Sequence, residues 1–427
     1  MANVRVAIAI GAVFASAPTS TPRRISSAGA IAGKVAGGGM VFVWNFFICK
    51  LGGIRTQETC VLCAPFQAAL LRCLRRRSCR KTAKELHFFA EKRILLLFLF
   101  GENCMLYTLF PVSYSLSWML VSVLVSFVIT FFAIKIGIAR LPKDQGRKFA
   151  VNGEVAKGKP RGAGLIFSIC CVLVFLVFVP FRWEYAIYCA LFLLEMLSGY
   201  LDDRSTTSWS ELKKGLLDLV ICLAAAATYL AFNDSHSLAL FGWTLVLPKW
   251  AFLLVATFVL WISINFTNCT DGVDGLLGSV SIVSLATFAA VFLLMGNSTD
   301  LAQMCFIFIA SLLAYLAFNA SPSQIIMGDA GSRMIGIFLG IMALKTYNML
   351  YFIPVALVII LDGGIGLFKL LFIRITKIKG FLKSVRTPLH DHARKNMSWS
   401  DTQVGYRFAI IQVLVSGLLL AALLLRR

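Results

Sequence analysis

The chain has 427 residues, of which 59% are hydrophobic and 14% charged, whereas a water-soluble domain carries about 25% charged and roughly 45–50% apolar residues. Apolar runs near 20 residues recur along it, each about the length that crosses ~30 Å of hydrocarbon as a helix, so an ordinary soluble domain is excluded. In such a protein the formal charge of +21 reads as loop topology rather than as a nucleic-acid surface.

Residues 1–93 differ in composition from everything after them. They hold 15 of the 41 Lys and Arg against three acids, Glu58, Glu85 and Glu91; residues 94–427 hold 26 basic and 17 acidic residues, a net of +9. A ten-residue apolar run, Val6–Ala15, resembles a secretory signal superficially, and a basic tract follows at Arg72–Lys84. The Cys60-x2-Cys63, Cys73 and Cys79 set is spaced too loosely for a structural zinc site. We read residues 1–93 as an atypical basic extension, disordered or the product of a misassigned start, which activity does not need. The transmembrane domain is expected over 94–427.

From Ile94 the pattern becomes regular. Ile94–Phe110 is a weak span, interrupted by Glu102 and Asn103. Ten clearer spans follow near 114–138, 162–180, 184–201, 215–232, 250–267, 275–295, 301–318, 333–346, 350–373 and 405–425. The expected fold is therefore all-α: a polytopic integral membrane protein of about ten transmembrane helices. Cys170, Cys171, Cys189, Cys222 and Cys305 fall inside these spans, where a thiol behaves as a small hydrophobe. Orientation follows from basic loop residues. Arg140, Lys143, Arg147, Lys148, Lys157, Lys159 and Arg161 in one loop, with Arg374, Lys377, Lys379, Lys383, Arg386, Arg394 and Lys395 in another, put those loops in the cytoplasm.

The polar residues then gather on that same face. Asp202-Asp203 ends the third span. Asn265-Phe-Thr-Asn268-Cys-Thr-Asp271-Gly-Val-Asp274-Gly joins the fifth to the sixth, and Asn319-Ala-Ser-Pro322 leads to Met327-Gly-Asp329-Ala-Gly-Ser332 before the eighth. His390-Asp391-His392 lies in the last long loop. A lone Asp-Asp pair at a helix end is commonly a solvated terminus; a carboxamide, two carboxylates and two glycines within eleven residues is harder to dismiss. Carboxylate clusters raise one another's pKa unless cations offset them, and oxygen-rich sites suit Mg2+, which uses one or two carboxylates together with substrate phosphates. Lys157, Lys159, Arg161 and Lys213 would draw in an anionic substrate. The combination describes phosphoryl chemistry at a membrane surface. Asp362 and Glu195, inside spans, are candidates for function by default and equally for structural pairing.

In this order the motifs resemble those of the polyprenyl-phosphate N-acetylhexosamine-1-phosphate transferase superfamily, over roughly residues 112–425. The Thr387-Pro-Leu-His390 element, with Trp399 and Arg407, is most similar to the phospho-N-acetylmuramoyl-pentapeptide branch. The resemblance implies an Mg2+-dependent exchange at the bacterial inner membrane, on its cytoplasmic side. Phospho-MurNAc-pentapeptide passes from UDP-MurNAc-pentapeptide to undecaprenyl phosphate, giving lipid I and UMP. It implies that Asp329, Asp271 and Asn268 contact the metal, that Asp202 orients or deprotonates the lipid phosphate, and that Asp203 supports metal or base. Asn268, Asp271 and Asp274 would contact the nucleotide, while Lys213, His390, His392 and Lys157 would hold substrate charge. A homodimer is an expectation from the family alone. Three departures stand out. Asp391 replaces the middle histidine of a three-histidine run; Ala156 stands where a lysine is usual, with Lys157 one place off; and Thr206 replaces another lysine. The alternatives are a relative using UDP-GlcNAc or another UDP-HexNAc and, more remotely, a transporter or flippase, which would place its acids near the bilayer midplane.

Overall fold

In the computed structural model, residues 116–426 are described apart from 145–155, 206–208, 241–242, 297 and 379. The N-terminal extension and the Ile94–Phe110 span lie outside the described residues. Each of the ten clearer apolar runs is helical. The helices are α1 (Leu116–Gly137), α2 (Gly164–Phe178), α3 (Trp183–Arg204), α4 (Glu211–Phe232), α5 (Lys249–Thr270), α6 (Leu276–Met295), α7 (Thr299–Asn319) and α8 (Gly328–Lys345). A pair bent by 77°, α9 (Met349–Val355) and α10 (Leu357–Thr376), precedes the short α11 (Leu389–Asn396) and the closing α12 (Asp401–Leu425). A small antiparallel hairpin, β1 (Ser237–Leu240) with β2 (Trp243–Val246), interrupts the helices between α4 and α5.

Among the described residues, seven helices are long and apolar enough to cross a membrane, and the α9–α10 pair makes an eighth if counted as one span. The expected ten is not reached on that criterion, for two physical reasons. α2 has only 15 residues. α8 carries Asp329, Arg333 and Lys345, and every residue in it is buried; a helix enclosed by protein needs no lipid-compatible surface. α8 is the axis of the fold, packed against α2, α3 and α5.

The outer helices show the pattern that lipid demands. α1 buries Ser122, Ser126, Thr130 and Ile134, a stripe of spacing four, while Leu116, Leu120, Leu124 and Ile136 are exposed. Its small polar side chains meet α7: Ser126 Oγ lies 2.9 Å from Ser311 Oγ and donates to the Ile307 carbonyl at 2.8 Å, and Gln303 Nε2 donates to Ser122 Oγ at 3.3 Å. Small residues that let helices approach, with hydrogen bonds across the seam, are the usual glue between helices in lipid.

At one end of the bundle the buried Lys345 bonds both oxygens of Glu184, at 2.8 and 3.0 Å, and Asn233 Oδ1 at 2.9 Å. Asn348 there ties the hairpin down through both the N–H and the carbonyl of Ala239. The opposite end collects the loops before α2, after α3, after α5, before α8 and around α11.

Candidate active site

The loop before α2 runs beside the loop before α8. Arg161 bridges to Ile326 in parallel, with the Ile326 N–H donating to the Pro160 carbonyl at 2.8 Å and the Gly162 N–H to the Ile326 carbonyl at 3.1 Å. Gly328 then turns the chain into α8 at a φ of 74°, and a Cβ there would collide with Asp203 Oδ2; only glycine satisfies both conditions. Asp329 thereby occupies the first turn of α8, with Asp202 and Asp203 alongside on the last turn of α3. Asp203 Oδ2 accepts the Ala330 N–H at 3.2 Å, so one carboxylate serves the positive end of a neighbouring helix.

Arg161 is the hub. Its Nε donates to Asp203 Oδ1 at 2.7 Å, its Nη1 to Asp144 Oδ2 at 2.9 Å and its Nη2 to Asp329 Oδ1 at 3.1 Å. Burial works to lower the Arg161 pKa, but the charges of Asp203 and Asp329 and the hydrogen bonds carry it above the ordinary arginine value. Lys214 Nζ lies 2.6 Å from Asp202 Oδ2 and 3.7 Å from Asp329 Oδ2, and the Trp209 N–H donates to Asp202 Oδ1 at 2.8 Å. One turn along α8, Arg333 Nε lies 3.9 Å from Asp329 Oδ2, while its Nη1 bonds Asp218 at 2.6 Å and reaches Glu195 at 3.5 Å. Asp144, Asp202, Asp203 and Asp329 thus share two close cations, Arg161 and Lys214.

The Asn268–Asp274 loop joins from α5. Asn268 Nδ2 donates to Ser332 Oγ at 3.1 Å, beside the start of α8. Asp271 caps α5, its N–H donating to the Thr267 carbonyl at 3.2 Å. Asp274 Oδ2 accepts the Ser323 N–H at 3.0 Å and sits 3.7 Å from Lys159 Nζ, which also donates to Ser323 Oγ at 2.9 Å. The Gly275 N–H donates to Asn319 Oδ1 at 2.9 Å. Gly272 packs directly against the Nε2 edge of the His390 ring, and Asp362 holds the other edge, with Oδ2 2.9 Å from Nδ1 and Oδ1 accepting the His390 N–H at 2.7 Å. Burial lowers the His390 pKa, yet the hydrogen bond and charge of Asp362 outweigh it and leave the value raised. These contacts bring Asp202, Asp203, Asn268, Asp271, Asp274, Asp329 and His390 to one end of the bundle.

Other expected residues stand apart. Lys213 lies with its Nζ 3.4 Å from the centroid of the Trp209 ring; its neighbour Lys214 reaches the carboxylates instead. His392 accepts the Arg386 N–H at 3.3 Å on Nδ1, and Lys157 is exposed at the turn before Gly158. The sequence motifs do not mark Lys214, Asp144 or Arg333. The signal for Lys214 was present: it stands four residues before Asp218 and in register with the buried Ile221, Cys222 and Ala225 of α4, a helical spacing that separates it from Lys213.

Among the described residues no group of three or more His, Cys, Asp or Glu side chains could hold a metal by itself. Mg2+ keeps several waters and takes one or two carboxylates together with phosphate oxygens, so it does not require a closed protein cage. Asp329 and Asp271 would supply the carboxylates and Asn268 an amide oxygen.

Residues 183–347 match Glycosyl transferase family 4. The chain is 37% identical over 318 residues to the phospho-N-acetylmuramoyl-pentapeptide-transferase of Treponema pallidum, a match covering 69% of this chain and 86% of that protein. Proteins of the same name from Lacticaseibacillus paracasei and Clostridium novyi are 28% identical over 333 residues and 29% identical over 323 residues. Those two matches cover 72% and 70% of this chain, and 98% and 95% of the respective relatives. With such identity across most of both chains, and with its acidic loops gathered at one end of a helical membrane bundle, the chain belongs to the phospho-N-acetylmuramoyl-pentapeptide-transferase family.

Proposed function

We propose that the protein transfers phospho-MurNAc-pentapeptide from UDP-MurNAc-pentapeptide to undecaprenyl phosphate in peptidoglycan synthesis, with Mg2+, at the cytoplasmic face of the bacterial inner membrane. An oxygen of the lipid phosphate bonds to the sugar-linked phosphorus of the donor. The bond from that phosphorus to the bridging oxygen breaks, and UMP leaves with the electron pair, so lipid I carries the new diphosphate. The observation that carries this reading is Asp329 on the first turn of α8, facing Asp202 and Asp203 of α3 with Arg161 and Lys214 between them.

The nucleophile is already an anion, so the barrier lies in bringing two anionic groups together and aligning them. Lys214, Arg161 and His390 offset phosphate charge, and Asp202, held by Lys214 and the Trp209 N–H, orients the lipid phosphate. Asn268 and Asp271 would contact the nucleotide and hold the metal, while Asp274 braces their loop against Lys159 and Ser323. The bound cation would withdraw charge from the diphosphate oxygens. The basic loops on the same end of the bundle support its placement in the cytoplasm.

The test is UMP release by purified protein supplied with undecaprenyl phosphate and UDP-MurNAc-pentapeptide. Turnover is expected with Mg2+, is lost with EDTA, and is lost in Asp329→Asn, which should retain the wild-type unfolding temperature to within a few degrees. Turnover with UDP-GlcNAc in place of the muramoyl donor would move the chain to the sister branch; near-normal rates in Asp329→Asn would refute the assignment of that carboxylate.

A further inference from the structure

Beneath the carboxylates of the site, the same three helices meet a second time. Asp202 of α3, Lys214 of α4 and Asp329 of α8 face one another at the loop end of the bundle, with Lys214 Nζ 2.6 Å from Asp202 Oδ2 and 3.7 Å from Asp329 Oδ2. Further into the helices stand Ser198 of α3, Asp218 of α4 and Arg333 of α8, with Glu195 deeper still on α3. Ser198 and Asp202, Lys214 and Asp218, and Asp329 and Arg333 are each four positions apart. That spacing puts each pair on one helix face, about 6 Å apart along the axis.

Arg333 closes this inner layer. Its side chain is 5% exposed, and Nη1 donates to Asp218 Oδ1 at 2.6 Å, Ser198 Oγ at 3.2 Å and Glu195 Oε1 at 3.5 Å. Those bonds hold one end of the guanidinium against α3 and α4. At the other end Nε is buried without a hydrogen-bond acceptor, 3.9 Å from Asp329 Oδ2. Such an N–H is unfavourable, and a movement of about 1 Å by the Asp329 carboxylate would bring Oδ2 into hydrogen-bond range. Stability alone does not call for the cluster, because buried ion pairs replaced together by uncharged residues of similar volume commonly leave a protein as stable. What the ionic network adds is register: its bonds form in one geometry, whereas apolar packing tolerates sliding.

We infer that Arg333 is a positioning residue for the transfer: through Asp218, Ser198 and Glu195 it fixes the register of α3, α4 and α8, and with it the separation of Asp202, Lys214 and Asp329. The inference rests on the transferase reading above. Arg161 Nη2 holds Asp329 Oδ1 at 3.1 Å, and Arg333 Nε stands by the other oxygen, so the carboxylate is flanked on both sides. A misplacement of about 1 Å between reacting groups costs on the order of a hundredfold in rate. Donor binding draws on contacts from several other loops, so loss of register should appear in kcat and leave KM nearly as it was.

The experiment measures UMP release from UDP-MurNAc-pentapeptide, and thermal unfolding, on the full chain and two variants of it. Arg333→Lys keeps the charge, but an ammonium lacks the fork that reaches three acceptors at one end and Asp329 at the other. Its kcat should fall by about ten- to a hundredfold, with the donor KM within about threefold of wild type. The combined variant Arg333→Met, Asp218→Asn, Glu195→Gln removes all three charges at once, so no buried ion is left unpaired. Its unfolding temperature should stay within about five degrees of wild type, yet its kcat should be as low as that of Arg333→Lys. Wild-type kcat in Arg333→Lys, or in a stably folded combined variant, overturns the inference, since the cluster would then serve the fold alone. A raised donor KM at unchanged kcat also overturns it. Should the combined variant not fold, the kcat and KM of Arg333→Lys decide. Absence of UMP from the wild type would remove the transferase reading together with this one, whereas wild-type turnover undiminished in the variants removes this one alone.

Discussion

Lys213 and Lys214 are adjacent in sequence and about 100° apart around α4, and that angle decides their chemistry. Lys213 rests on the Trp209 ring, whereas Lys214 joins Asp202 to Asp329. Lys214→Ala should lower the rate of UMP release by about a hundredfold, the scale of losing one preorganised charge contact, and Lys213→Ala by only a few-fold. The reverse order would return the role to Lys213. His390 offers a pH test. Asp362 favours its cationic form, so the pair is intact at low pH and is lost as pH rises through the raised His390 value. If cationic His390 holds phosphate, Asp362→Asn should move the alkaline limb of the rate–pH profile downwards by about one pH unit or more. An unmoved limb would show that titration there belongs to another group.

α8 shows why glycine and charge can share one buried element. Gly199 of α3 faces the Asp329 backbone so closely that a Cβ would overlap its carbonyl. The approach sets Asp202 and Asp203 against Asp329. Gly199→Ala should destabilise the fold by about 1–3 kcal/mol, as overpacking does, and should depress turnover further by separating the two carboxylate-bearing helix ends. Thermal unfolding and UMP release measured on one preparation check this; an unchanged rate would mean that α3 can shift without disturbing the site. Arg333 enters the same helix with its own partners, Asp218 and Glu195, because a buried guanidinium is strongly disfavoured unless paired.

Across the bundle, the acids inside the spans are paired: Glu184 with Lys345, Glu195 and Asp218 with Arg333, and Asp362 with His390. Glu195 is thus paired inside the bundle, whereas Asp362 is paired with His390 at the candidate site, and Asp202, Asp203, Asp271 and Asp329 lie at helix ends, as an enzyme at the membrane surface requires and a midplane coupling path does not. The proposed orientation, with the loop around α11 in the cytoplasm, requires α12 to end on the other side. An alkaline phosphatase domain fused after α12 should be active outside the cytoplasm, and a fluorescent protein fused there should stay dark; a bright fusion would invert the orientation.

Helix positions were legible along the chain because each lipid-crossing segment must satisfy its own backbone and present apolar surface locally. Apolar run length therefore placed ten helical segments near their observed positions, and the acidic motifs at span ends pointed to residues that the fold brings to one end of the bundle. Enclosure is not local. That α8 is buried on every side follows from packing against neighbours distant in sequence. So does the role of Arg161: its importance comes from Asp144, Asp203 and Asp329 converging on one guanidinium from three separate segments. Spacing along one chain carries no record of such distances, because ion pairs between elements form only when the bundle closes.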